Sequence, residues 1–329
     1  MRVTVLSSGS GGNCTLVEGA GVRVLVDAGL PLRVVRARCA AVGLSLDGAG
    51  LGCPSSRGPG AKVSELLITH EHSDHGGAAG VLGRKLGLRV RATRGTLEAL
   101  RDPPPQAQWS VVRAGEPVLL GEAAAGDASA GQGAAPGAPL GLIPGVIALR
   151  PPAPQPPEPQ LWVTPIALPH DAAEPVAYRF EERTPQGSVH AAIVTDLGHV
   201  PPPLVRALAG LDLLVIEFNH DLRMLLEGPY PWPLKQRIRG GRGHLSNDQA
   251  AELLLALCHP GLKQVVLAHL SEHNTTPKRA RAAAEDALAR GRSGAMLRIG
   301  SVKHPLPPLF VEPGPAVKPR WRPAQLALL

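Results

Sequence analysis

A layered α/β domain is the fold that this sequence of 329 residues predicts. Short apolar runs of strand character alternate with runs of helical spacing, the pattern of a sheet covered by helices. Polar groups able to bind metals recur at the C-terminal ends of the apolar strands, where open α/β sheets place their sites. The chain is 44% hydrophobic but only 3% aromatic, so its core must be mostly Leu, Val, Ile and Ala.

The elements follow in order. "RVTVL" (2–6) reads as a strand, "SSGSGGN" (7–13) as a glycine-rich hairpin turn, and "CTLVE" and "VRVLVD" (14–18, 22–27) as two more strands. "PLRVVRARCAAVGL" reads as a helix with Pro at its start. "LGCPSSRGPGA" (51–61) reads as a loop, and "ELLIT" (65–69) as a buried strand. From about 121 to 160 the chain is rich in Ala, Gly and Pro, as in "GDASAGQGAAPGAP". So little apolar surface cannot offset ordering entropy, so this stretch is expected to be an insertion, disordered or polyproline-like. Strands then resume: "LWVTPIAL" leads into "PHDA", "HAAIVTD" ends in an acid, "LDLLVIEFNHD" in Asn, His and Asp, and "KQVVLAHLS" in His. One domain over 1–304 is expected, with a Pro-rich tail over 305–329.

No apolar run approaches the roughly 20 residues that cross a bilayer, so no membrane partner is expected. "MRVTVLSSG" lacks the long apolar centre of a secretory signal. Cys14, Cys39, Cys53 and Cys258 show no CxxC spacing. Free thiols in a cytoplasmic protein are the simplest reading. The net charge of +7 is compatible with a polyanionic partner and with a plain basic surface alike.

"THEHSDHGG" (69–77) carries the chemistry. Burying His70, His72, Asp74 and His75 together without a cation would strand several polar groups, each at about 1–3 kcal/mol. Imidazole and carboxylate ligands suit zinc, and also manganese or iron. With His170, Asp196 and His269 the set reaches seven, the number expected for two adjacent metals. A carboxylate can bridge two cations and an imidazole cannot, which makes Asp196 the natural bridge.

Here the sequence resembles the metallo-β-lactamase superfamily. "THEHSDH" matches its HxHxDH signature, and Asp27, His170, Asp196 and His269 follow in the order of its other motifs. The resemblance implies a four-layer αββα sandwich holding two divalent metal ions, zinc first and manganese as the alternative. It implies that His70, His72 and His170 hold one ion, that Asp74, His75 and His269 hold the other, and that Asp196 is shared. Asp27 would orient a ligand; a turn residue at a strand end is its alternative. "SSGSGGNC", "EFNHDLRMLLEGPYPWPLKQRIRGGRGHLSN" and "LAHLSEHN" look like the YycJ/WalJ branch, proposed as DNA exonucleases. That branch usually has "ESNHD" where this chain has "EFNHD". The resemblance also places Ser10 and Asn13 near substrate.

"SNDQ" fits a capping box, Ser246 as N-cap and Gln249 three positions on. His244 therefore lies just before a helix N-terminus, where anions are favoured. Related tRNase Z enzymes use a His in a similar context to assist phosphodiester cleavage. His244 by that similarity stabilises the transition state or protonates the departing oxygen; a packing role is its alternative. Lys235, Arg237, Arg239 and Arg242 are either a phosphate-contacting arm or a solvated basic loop. The expected function is a hydrolase of the 5′-3′ DNA exonuclease type: a hydroxide shared by two metals attacks phosphorus, and Asp74 orients it. A hydrolase of small esters, thioesters or lactones on the same centre is the alternative. A regulatory protein with a structural metal site is the non-enzymatic one.

Overall fold

The computed structural model describes residues 1–48, 61–121 and 158–313. All but the last residue of the loop expected over 51–61, Cys53 with it, and nearly all of the expected insertion lie outside the described residues. The first sheet contains β1 (Arg2–Ser7), β2 (Cys14–Gly19), β3 (Val22–Val26), β4 (Glu65–Leu67), β5 (Arg89–Ala92) and β6 (Trp109–Val111). The second contains β7 (Val118–Leu119), β8 (Gln160–Ala167), β9 (Val176–Thr184), β10 (Gly187–Val194), β11 (Leu213–Glu217), β12 (Gln264–Ala268) and β13 (Met296–Ile299). A last strand, β14 (Leu309–Phe310), returns to the edge of the first sheet beside β1. Among the described residues each sheet has seven strands, ordered β14-β1-β2-β3-β4-β5-β6 and β13-β12-β11-β10-β9-β8-β7.

Period-2 alternation explains the layering, because successive strand side chains face opposite ways. Val24 and Val26 enter the core between the sheets, where they meet Val163, Phe180 and Val215. Leu25 between them faces a second core with Leu66, Leu82 and Leu97. Helices α1 (Leu32–Ala41), α2 (Ser73–Gly76), α3 (Ala79–Leu86) and α4 (Arg94–Ala99) follow the strands of the first sheet. On the other side come α5 (Pro202–Ala207), α6 (Leu222–Glu227), α7 (Trp232–Arg239), α8 (Asn247–Leu257) and α9 (Pro277–Arg290). Residues of α5, α8 and α9 pack on Leu214, Ile216 and Leu267 to form the third core. The result is the expected αββα sandwich.

Both sheets run parallel where they carry polar strand ends. β3 pairs with β4, and β10, β11 and β12 pair with one another, all in parallel. Their C-terminal ends therefore open on one rim.

The expected tail boundary at 304 falls inside ordered packing. Leu306 donates its N–H to the Val5 carbonyl, and Val311 is buried between the sheets. Its apolar residues supply an edge strand despite the surrounding prolines; residues 314–329 lie outside the described part. Cys14, Cys39 and Cys258 are free and buried. Among the described residues, no helix is long and apolar enough to cross a membrane.

Candidate metal centre

The rim collects the polar strand ends. β3 delivers Asp27, β4 delivers Thr69 and His70, β10 delivers Asp196, β11 ends in Glu217, and β12 delivers His269. Asp27, Asp196 and His269 have φ of 63°, 60° and 50°, left-handed values that non-glycine residues seldom adopt. Backbone strain of this kind persists where surrounding structure imposes it, and it clusters at functional sites. The turn 70–77 packs tightly against the exit of β3. Ala28 donates to the His75 carbonyl, and a Cβ on Gly29 would lie 1.8 Å from the Asp74 carbonyl oxygen.

Among the described residues, four overlapping groups offer ligand atoms within 4.8 Å of one another: His70/His72/His170, His70/His75/Asp196, Asp74/His75/His269, and Asp196/Glu217/His244/His269. The structure thus brings together all seven residues expected as ligands. Asp196 sits between the two histidine sets. One of its oxygens lies 3.0 Å from His75 Nε2, the other 3.6 Å from His269 Nε2 and 3.9 Å from His170 Nε2.

The residues fit divalent cations on their own hydrogen bonding. Among the described residues, His70 Nε2 is buried with no hydrogen-bond partner, and His170 Nε2 is buried beside the Asp171 carboxylate, 3.2 Å away. Their other nitrogens are engaged, His70 Nδ1 with Thr69 Oγ1 at 3.1 Å and His170 Nδ1 with the Gly243 carbonyl at 2.9 Å. His75 Nδ1 lies 2.8 Å from Asp27 Oδ2. Metal-binding imidazoles are held in this way, one nitrogen tied to protein and the other aimed at the ion.

Charge tells the same story. Burial pushes the His70 and His170 pKa values down, which keeps both imidazoles neutral. At His269, burial opposes protonation but the Asp196, Asp74 and Glu217 carboxylates outweigh it and lift the pKa to about 10. His75 is raised in the same way, with Asp196 and Asp27 overcoming burial. Protons thus balance the carboxylates where cations would, so cation binding displaces them and strengthens as pH rises.

Asp27 anchors the turn rather than merely ending a strand. Its Oδ1 accepts from the Thr69 amide at 2.8 Å, and its Oδ2 meets His75. Asp27→Ala is expected to lower metal affinity about 10–100-fold, read by competition with a chelating dye. An unchanged affinity would contradict that role.

Glu217 is the residue that sequence reasoning left unassigned. It is fully buried and accepts from His244 Nδ1 at 2.6 Å and from the Leu197 amide at 2.9 Å. Burial would raise its pKa, but His244 and His269 bring it down to about 2. In return Glu217, with Asp196, raises His244 against the effect of burial. The signal was present: "LLVIE" is an apolar strand ending in an acid, like "AAIVTD". His220 stands outside the four groups; its carbonyl accepts from the Asn247 amide.

The expected substrate residues scatter. Ser10 is exposed at the β1–β2 turn. Asn13 is not free for substrate. It is 5% exposed, its Oδ1 accepts from the Gly9 amide at 2.9 Å, and its Nδ2 lies 2.9 Å from His75 Nε2. It braces the turn that carries His75. Lys235 is also corrected, since it is buried and its Nζ donates to the Leu226 carbonyl at 2.7 Å, at the end of α6. Lys235, Arg237 and Arg239 lie on helix α7, not on a loop. Arg237 is exposed and pairs with Asp171, Arg239 is exposed, and Arg242 Nε donates to the His170 carbonyl at 3.2 Å. The expected capping box of Ser246 and Gln249 starts α8.

The Metallo-beta-lactamase superfamily pattern matches residues 8–191. The chain is 29% identical over 291 residues to the exodeoxyribonuclease YycJ of Bacillus anthracis, covering 88% of this chain and 89% of that one. It is 27% identical over 298 residues to the exodeoxyribonuclease WalJ of Streptococcus pneumoniae serotype 2 (strain D39), covering 89% and 90%. The crystal structure of the metallo-beta-lactamase fold protein YhfI of Bacillus subtilis superposes with a TM-score of 0.55 at 15% identity, over 93% of this chain and 98% of that one. With a pattern spanning more than half its length, its fold and its cluster of histidines and aspartates, the chain belongs to the metallo-beta-lactamase superfamily.

Proposed function

We propose that the chain is a phosphodiesterase that uses two divalent metal ions, zinc or manganese, and hydrolyses DNA as an exonuclease. The observation that carries this reading is the Glu217–His244 pair. His244 lies against the metal-binding cluster, its ring stacked 5.3 Å from that of His269, yet its Nδ1 is committed to a fully buried carboxylate. That arrangement suits a proton donor better than a ligand. The names of the YycJ and WalJ relatives support the same reading.

His70, His72 and His170 would hold one ion, Asp74, His75 and His269 the other, and Asp196 both. Such a pair lowers the pKa of water and neutralises charge on phosphate oxygens. The side chain of Asp74 is 23% exposed and that of Asp196 is 3% exposed. Asp74 is thus the carboxylate that reaches solvent and can orient the attacking water. His244, kept protonated by Glu217, donates to the departing oxygen. Arg237 and Arg242 border the His170 loop, and with the exposed Arg239 on α7 they neutralise the backbone of the bound strand.

Replacing these three arginines by Ala should weaken DNA binding and reduce the slope of log affinity against log salt by about 0.9 for each phosphate left without its cation. Fluorescence anisotropy across a salt series measures it; an unchanged slope would return them to a solvated surface. The proposal as a whole is tested by comparing turnover of 5′-phosphorylated duplex DNA, RNA and a panel of lactones and thioesters, with bound metal quantified. DNA is the expected substrate. Turnover of lactones or thioesters with DNA left intact would overturn the reading.

A further inference from the structure

The chain has only four tryptophans and two tyrosines, and one of each falls within "PYPWP", which leads into the basic helix α7. Trp232 opens that helix and is 55% exposed. Pro231 is the N-cap and accepts from the Leu234 and Lys235 amides, so the backbone that presents the indole is held. Lys235 is tied to the end of α6, which fixes α7 along its length.

Both ends of this segment touch loops that carry candidate ligands. At one end Arg237 pairs with Asp171, the neighbour of His170. At the other, the Tyr230 ring meets His273, four positions past His269, with centroids 5.6 Å apart and planes at 70°. The segment therefore borders the mouth of the metal centre. Trp232, Gln236 and Arg239 are all exposed and recur at i, i+4 and i+7, which puts them on one stripe of α7. At 1.5 Å per residue the indole and the Arg239 guanidinium start about 10 Å apart along the axis, a span of about three stacked bases. The helix, "WPLKQRIR", carries three cations and no acid. Lys235 and Arg237 are engaged with Leu226 and Asp171, so the exposed indole shares its stripe with the exposed Arg239, a pairing that matches a polyanion with flat apolar groups, which is a single-stranded nucleic acid.

We infer that Trp232, with Tyr230 and His273 beside it, is a base-stacking platform for a single-stranded stretch of nucleic acid whose backbone runs past Arg239 and Arg237 to the metal centre. This rests on the phosphodiesterase reading and assigns to that site a preference for substrates with unpaired bases at its mouth. Stacking on an aromatic face tolerates any base, so the platform confers little sequence selectivity.

The test is binding of a phosphorothioate single strand and of the same strand with abasic positions, by fluorescence anisotropy on the full chain. Trp232→Ala should weaken the base-bearing strand about ten-fold, within the range for loss of one base–aromatic stack. It should change the abasic strand less than about two-fold. Trp232→Phe, which keeps a π-face, should restore most of the loss. An equal loss on both strands, or no loss on either, would overturn the platform and leave the phosphodiesterase reading standing. So would a change in sedimentation showing that a second copy covers Trp232. Wild-type protein that binds neither strand would overturn both.

Discussion

Asp196→Ala is expected to lose bound metal and hydrolysis together. Asp196 is 2% exposed, and its two oxygens face His75 on one side and His269 and His170 on the other. The surrounding imidazoles hold Asp196 well below the usual carboxylate range, overcoming burial. Without it, both sets of histidines lose their common counter-charge. Turnover should fall at least about a thousand-fold, about 4 kcal/mol in the barrier, and metal content should drop below two ions per chain by mass spectrometry. A variant that kept both ions and its activity would remove Asp196 from the centre.

His244→Ala should separate chemistry from metal binding. His244 is not one of the seven expected ligands, and its Nδ1 lies closer to Glu217, at 2.6 Å, than to Asp196, at 3.6 Å, so both ions should remain. Loss of a general acid costs about 100- to 10,000-fold in rate. The pH profile supplies a second readout. Glu217 and Asp196 raise the His244 pKa above the ordinary imidazole value against the pull of burial. An acid with a raised pKa stays protonated to higher pH than a free imidazole and loses its proton as pH climbs past that raised value. Wild-type activity should therefore decline on the alkaline side, and the variant should lack that limb. Glu217→Gln, which acts through His244, should move the same limb toward lower pH while keeping part of the rate. Intact turnover in His244→Ala would refute the proton-donor role.

How much of this was readable in the chain depended on whether a signal was local. The strand ends were readable because β11 and β12, buried on both faces, write themselves as apolar runs, and a polar residue after such a run stands out. The turn 70–75 was readable because four candidate ligands fall within six positions. Asn13 and Lys235 misled for a shared physical reason. Polarity predicts a solvent-facing or substrate-facing group, but a buried amide or ammonium is stable when backbone partners meet it, and the Gly9 amide and Leu226 carbonyl do. Those partners are tertiary facts.

Glu217 was ambiguous because the residue beside it, Phe218, departs from the usual serine of the YycJ/WalJ branch. Phe218 is fully buried in the core between sheet and helices, while Glu217 faces the metal centre, as the two-sided geometry of a strand end requires. The substitution at 218 therefore changes packing on the far face and leaves the carboxylate in place. The left-handed backbone at Asp27, Asp196 and His269 had no sequence signal, since none of the three is glycine.

The central claim is that seven side chains from both sheets enclose two adjacent cations with Asp196 between them. Anomalous diffraction at the zinc and manganese absorption edges tests it most directly. Two peaks about 3.5–4 Å apart are expected, one among His70, His72 and His170 and one among Asp74, His75 and His269, both adjoining Asp196. A single peak enclosed by four protein ligands, or no peak at this rim in protein that hydrolyses DNA, would contradict the account.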